Sequence, residues 1–123
     1  MEYVSTNNAP NAIGPYSQAV KVNGLLFTSG QIAINPETNN VEAVTVEEQT
    51  EQVCKNLKAV VEAAGSDMTK VVKTVCFLAD INDFAIFNEV YGRYFVSKPA
   101  RSCVAVKDLP KGVLCEVELI AEL

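Results

Sequence analysis

With 123 residues, 49 % of them hydrophobic and 20 % charged, the chain has the size and balance of one globular domain rather than a disordered segment. A net charge of −5 without a dense Lys/Arg run weighs against a general phosphate-binding surface, and no apolar run approaches the roughly 18 residues of a membrane span. The absence of histidine removes Ser-His and Cys-His catalysis, His-containing zinc sites and the commonest general base.

Met1-Glu2-Tyr3-Val4 has neither the basic start nor the apolar core of a secretory signal. Residues 5–15, with Pro10 and Pro15, read as a turn-rich lead-in. Tyr16 to Val22 and Leu25 to Gln31 then flank Asn23-Gly24, the signal for a type I′ hairpin. A two-residue loop pairs Val22 with Leu25, Val20 with Phe27 and Gln18 with Ser29. Tyr16 and Ser29 become diagonal neighbours on one face. On pattern alone, Tyr16 is equally a packed aromatic with its hydroxyl at the surface.

Residues 35–44 form a polar connection. Thr45 with Glu48 fits a capping box, and Val53, Cys54, Leu57, Val60, Val61 and Ala64 follow at helical spacing. Gly65 suits the stop, which predicts a helix of about 18 residues with one face on a sheet. Val71 to Ile81 is a nearly continuous apolar strand, expected at a central position covered on both faces. Asn82-Asp83 offers the next N-cap. Phe84, Phe87, Val90, Tyr91, Tyr94 and Phe95 give a second amphipathic helix whose aromatic stripe reads as core. Asn88 lies off that stripe, free to cap, to bond a loop or to face solvent.

Two strands close the chain, on either side of a Pro-Lys-Gly break at 110–112. On the first, Ser102, Val104 and Val106 share one face and Arg101, Cys103 and Ala105 the other. On the second, Cys115, Val117, Leu119 and Ala121 are the apolar face, opposite Leu114, Glu116, Glu118 and Ile120. If both apolar faces meet one core, Arg101 and Glu116 emerge together on the far side. A guanidinium and a carboxylate on a partly apolar face fit a site or an interface, or two solvated strand charges.

The order hairpin, helix, strand, helix, strand, strand is α+β, a single domain over 1–123 with a mixed β-sheet and two helices packed on one face. The opposite face carries Leu114, Ile120 and part of the hairpin, so an oligomer that buries it is expected. Cys54, Cys76, Cys103 and Cys115 form no Cys-x-x-Cys pair and lie inside apolar patterns. They read as free thiols of a cytoplasmic chain.

Ala12-Ile13-Gly14-Pro15-Tyr16-Ser17-Gln18-Ala19, Thr28-Ser29-Gly30-Gln31-Ile32 and Pro99-Ala100-Arg101-Ser102-Cys103-Val104 resemble the hallmark segments of the Rid family. These are the reactive intermediate deaminases, also called the YjgF family. Val71 to Thr74 and Asn82 through Asn88 resemble it too, so the similarity runs through nearly the whole chain. An arginine followed by a cysteine two residues on and a later glutamate is similar to the RidA subgroup, and Arg101, Cys103 and Glu116 stand at those positions. The chain departs from the family in the short link Val96-Ser97-Lys98, which bears on the rim of the site, and in Cys115 before the glutamate.

The resemblance implies a chorismate-mutase-like fold and a homotrimer with three active sites in clefts between subunits. It implies hydrolysis of 2-imino acids such as 2-iminobutanoate and 2-iminopropanoate, formed from their 2-enamino tautomers, to 2-keto acids and ammonia. No cofactor, metal, nucleic acid or membrane is implied. Arg101 and Glu116 are the expected catalytic residues. Tyr16, Ser29, Gly30, Asn88, Arg101 and Cys103 are the expected substrate-binding residues, Cys103 through its backbone.

These residue types suit that chemistry. Arginine presents a planar fork that grips a carboxylate in two places, which lysine does not. In a chain without histidine, Glu116 is the candidate to take a proton from the attacking water. The implied fold puts another strand between Arg101 and Glu116, so a neighbouring chain becomes the natural source of the partner. The alternative is a non-catalytic small-carboxylate-binding regulatory protein using the same intersubunit cleft, although binding alone needs only the arginine. An RNA-directed role is disfavoured by the acidic balance and the lack of histidine.

Overall fold

In the computed structural model, which describes residues 1–123, Asn23 and Gly24 both take positive φ, 51° and 76°. They close the expected hairpin between β2 (Ala19–Val22) and β3 (Leu25–Thr28), with Val22 opposite Leu25 and Val20 opposite Phe27. The regular strands are shorter than the alternation suggests. Pairing goes one step further through the Ser29 N–H, which donates to the Gln18 carbonyl at 2.9 Å. The lead-in is tied down by β1 (Glu2–Val4), which pairs with β2 and had no sequence signal of its own. The polar connection also contains a two-stranded ladder, β4 (Ile34–Asn35) with β5 (Asn40–Val41).

The first helix, α1 (Val46–Ala63), is 18 residues long and starts on a complete capping box. The Thr45 hydroxyl accepts the Glu48 N–H at 3.1 Å, and the Glu48 carboxylate accepts the Thr45 N–H at 3.2 Å. Gly65 at φ 83° ends the segment. The chain then forms β6 (Val71–Leu78), α2 (Phe84–Tyr94), β7 (Ala100–Ala105) and β8 (Cys115–Glu122). The cap of the second helix lies earlier than expected. Asp80 accepts the Asn82 N–H and begins a 3-10 turn over Ile81–Asp83, whereas Asp83 makes no side-chain cap bond.

The sheet order is β1-β2-β3-β8-β6-β7, with β6 and β7 parallel and every other neighbour antiparallel. Both helices lie on one face. Leu57, Val60 and Val61 of α1 and Phe87 of α2 pack against Leu26, Leu78, Cys115 and Val117, all without solvent exposure. The apolar face expected for β8 is this core face. No helix covers the other sheet face, so β6, which lies next to the edge strand β7 rather than at the centre, is not buried on both sides. Val72 is 40 % exposed, and Val75 and Phe77 are half-buried.

The register of β7 corrects one expectation. Arg101 pairs with Thr74 and Cys103 with Cys76, and Thr74 and Cys76 are fully buried beneath the helices. Paired residues in a ladder share a face, so Arg101 and Cys103 point to the helix side. Ser102 and Val104 are left exposed on the open side. Glu116 pairs with Phe77 and does emerge on the open face. Arg101 and Glu116 therefore sit on opposite faces. Apolarity could not decide this, because neither face of β7 is strongly apolar. The tight link from α2, where Ser97 donates to the Val71 carbonyl, brings the strand in beside the start of β6.

A bulge in the β3–β8 ladder prepares the site. Phe27 pairs with Ile120, and Gln31 bridges Val117, so three residues (Thr28, Ser29, Gly30) span the length of two (Glu118, Leu119). The Thr28 hydroxyl substitutes for the lost carbonyl and accepts the Leu119 N–H at 3.0 Å. Leaving that buried N–H without a partner costs about 1–3 kcal/mol.

Candidate functional site

The bulge brings Gly30 against Glu116. A Cβ at Gly30 would meet the Glu116 carboxyl carbon at 2.9 Å, so the carboxylate occupies space that only glycine leaves open. Around it lies a cavity of about 420 Å³, lined among others by Tyr16, Ser29, Gly30, Glu116, Pro110 and Lys111. Three of the expected binding residues thus gather with one of the expected catalytic pair. Tyr16 is half exposed at the rim, and the Ile13 N–H reaches its hydroxyl at 3.4 Å. The Ser29 hydroxyl donates to the Ser17 carbonyl at 2.5 Å, fixing the bulge. The Gly30 N–H donates to no group of the chain.

Glu116 makes no ion pair within the chain. Burial pushes its carboxyl above the ordinary range, and Glu118 two residues on adds to the rise. A half-buried carboxylate with a raised pKa and no ion-pair partner holds a proton more readily than an ordinary one.

The rest of the expected set lies elsewhere. Arg101 donates through Nη1 to the Asn88 Oδ1 at 2.7 Å. Its guanidinium carbon stands 4.9 Å from the Tyr91 ring centre and 5.3 Å from that of Phe84. Asn88 is therefore neither a cap nor a free surface residue. Cys103 follows on the same face, and its thiol is pushed up by burial although Arg101 pulls the other way. The Val106 N–H reaches the Leu78 carbonyl on β6. Strand N–H groups alternate in direction, so those of Arg101, Cys103 and Ala105 point off the free edge of the sheet.

The two groups stand apart. Arg101 stands level with Thr74 and Leu119, while Glu116 is level with Phe77. Three residues along the strand and two strands across amount to about 14 Å between the backbones, with the side chains on opposite faces. No single small substrate spans that.

Lys111, in the Pro-Lys-Gly break, lines the Glu116 cavity from a left-handed backbone position, φ 57°, and no sequence signal marks it. Phe84 and Tyr91, expected only as core, also stand against the Arg101 guanidinium. Their spacing with Asn88 (i, i+4, i+7) was the signal that they share a helix face. No three His, Cys, Asp or Glu side chains are grouped to hold a metal, and no helix is long and apolar enough to cross a membrane.

A family model described as Endoribonuclease L-PSP matches residues 6–123. The chain is 50 % identical over 124 residues to the RutC family protein y4sK of Sinorhizobium fredii, an alignment covering 100 % of this chain and 98 % of that one. It is 49 % identical over 123 residues to the chloroplastic Reactive Intermediate Deaminase A of Arabidopsis thaliana, covering 99 % of this chain and 66 % of the relative. Among solved structures, E. coli TdcF with bound serine aligns at a TM-score of 0.95 and 42 % identity, over 100 % of this chain and 99 % of that one.

Proposed function

Because the chain belongs to the L-PSP family that includes the Rid proteins, we propose that it is a deaminase hydrolysing reactive 2-imino acids and their 2-enamino tautomers, 2-iminobutanoate and 2-iminopropanoate among them, to 2-keto acids and ammonia. Its working form is a homotrimer with three clefts, each joining the Arg101 edge of one chain to the Glu116 cavity of the next. The observation that carries this reading is Glu116 itself. It is half-buried, seated in space that Gly30 leaves open, and makes no ion pair in its own chain. A regulatory site for small carboxylates would need the arginine and gain nothing from such a base.

The reaction follows from the two half-sites. The Arg101 fork takes the substrate carboxylate, and the outward N–H of Cys103 is a second donor for it. The imine carbon then faces the Glu116 side, where the Gly30 N–H is free to meet the substrate. Glu116 accepts a proton from water as the water oxygen bonds to that carbon. The C=N electron pair moves to nitrogen, which takes the proton that Glu116 accepted. The hydroxyl proton then passes to the nitrogen by way of Glu116, and as the C–N bond breaks, ammonia leaves and the oxygen forms the carbonyl of the keto acid. One water is consumed and no electrons change hands.

The serine bound to TdcF is a small α-amino carboxylate, the class of molecule that this cleft would take. The endoribonuclease description of the family model finds less support here. The chain has no histidine to exchange protons with a phosphodiester, and its net charge of −5 opposes the approach of RNA. The test is to generate 2-aminoacrylate or 2-aminocrotonate with a dehydratase and follow its disappearance. Faster loss with this protein, keto acid and ammonia appearing together, is the expected result. An unchanged decay would overturn the reading.

A further inference from the structure

We propose that Phe84 and Tyr91 are positioning residues that hold the Arg101 guanidinium flat between two aromatic faces and so set its grip on the substrate carboxylate. The inference rests on the carboxylate-binding role proposed for Arg101. Phe84 and Tyr91 are seven residues apart on α2, which separates them by about 10.5 Å along the helix axis. The guanidinium carbon lies 5.3 Å from one ring centre and 4.9 Å from the other, so it fills the gap between them. Asn88 projects from the helix between the two rings and takes one Nη1 proton at 2.7 Å. The centre of the cation lies over two rings, one Nη1 proton is taken by Asn88, and the remaining N–H groups donate to nothing in the chain.

The cradle is itself anchored. Tyr91 is buried, stacks on Phe95 with ring centres 4.2 Å apart, and shares a 2.7 Å hydrogen bond between its hydroxyl and that of Thr74. Thr74 is the residue directly across the ladder from Arg101. Helix and strand are thus locked together at the point where the arginine leaves the sheet. An aromatic face attracts a planar cation through its quadrupole. A guanidinium free to rotate would lose more entropy on gripping a carboxylate in two places.

The test uses the full chain with pyruvate as probe. Phe84 is replaced by 3,4,5-trifluorophenylalanine, which keeps the ring's shape and strips the negative charge from its face. Tyr91→Phe and Tyr91→Leu accompany it, with thermal unfolding followed throughout. Expected results are pyruvate affinity and KM weakened roughly two- to thirty-fold for the fluorinated ring and for Tyr91→Leu, with kcat within about two-fold of the parent. Tyr91→Phe keeps the face and should restore near-parental binding. If the fluorinated protein binds pyruvate like the parent while Arg101→Lys does not, the cradle is refuted and the arginine's role survives. If Arg101→Lys also binds pyruvate normally, the underlying reading of the site fails instead.

Discussion

Arg101 and Glu116 of one chain lie on opposite faces of the sheet with β6 between them. This separation divides the roles, and each can be removed without touching the other. Arg101→Lys keeps the charge and loses the fork, so pyruvate binding should weaken roughly 10- to 150-fold. Glu116→Gln keeps the shape and loses the base, so pyruvate should bind as before while turnover falls about 10²–10⁴-fold. Calorimetric titration of both variants beside their turnover separates the two. Glu116→Gln losing ligand rather than turnover would contradict the assignment.

Gly30 offers an independent approach to the base. Gly30→Ala places a methyl group where the Glu116 carboxylate now lies, and the flexible end of that side chain must move away. Thermal stability should change little, because the displaced group is not part of the core. Turnover should fall nearly as far as in Glu116→Gln, about 10²-fold or more. Activity near the parental level would mean that the position of Glu116 against the bulge is unimportant.

The elements were legible where one strong local signal stood alone. Asn23-Gly24 closes its hairpin in the register read from the turn, and Thr45 with Glu48 caps a helix that runs to Ala63, just before Gly65. The alternation of Cys115, Val117, Leu119 and Ala121 names the core face of β8. The facing of β7 was not legible. Ser102-Cys103-Val104 has no clear apolar side, and pairing with Thr74 and Cys76 across a parallel ladder settles it. The same pairing turns Arg101 toward α2, which transforms Asn88 from an unplaced polar residue into its partner. The bulge at Thr28–Gly30 was equally hidden, because it depends on where β8 resumes contact at Gln31. The β1 strand was missed because three residues at a terminus carry no period.

The raised pKa of Glu116 has a consequence for pH. Its folded value lies above its unfolded one, so the native state binds the proton more tightly. The stability this contributes is complete below the ordinary carboxylate pKa and is lost as pH rises through the raised folded value. Glu116→Gln should then unfold at a higher temperature than the parent at pH 7, with the difference vanishing in acid. The kcat/KM of the parent should fall on the acid side with an apparent pKa above the usual carboxylate range. An acid limb at or below that range would mean the titrating base is another group.

Cys103 should be dispensable as a thiol. Burial raises its pKa, so little thiolate exists near neutrality, and its outward N–H survives substitution. Cys103→Ser should retain most of the activity and the parental ligand affinity. Near-complete inactivation of a well-folded Cys103→Ser protein would point to a sulfur nucleophile.

The most direct measurement mixes the two inactive variants. Arg101→Lys and Glu116→Gln chains are co-expressed, and hybrid trimers are verified by native mass spectrometry. If each cleft takes Arg101 from one chain and Glu116 from the next, every hybrid contains one cleft in which both residues are intact. Random assembly makes about three quarters of the trimers hybrid and restores roughly a quarter of the parental clefts, with activity to match. Activity no higher than the average of the two variants alone, despite hybrid formation, would contradict a site shared between chains.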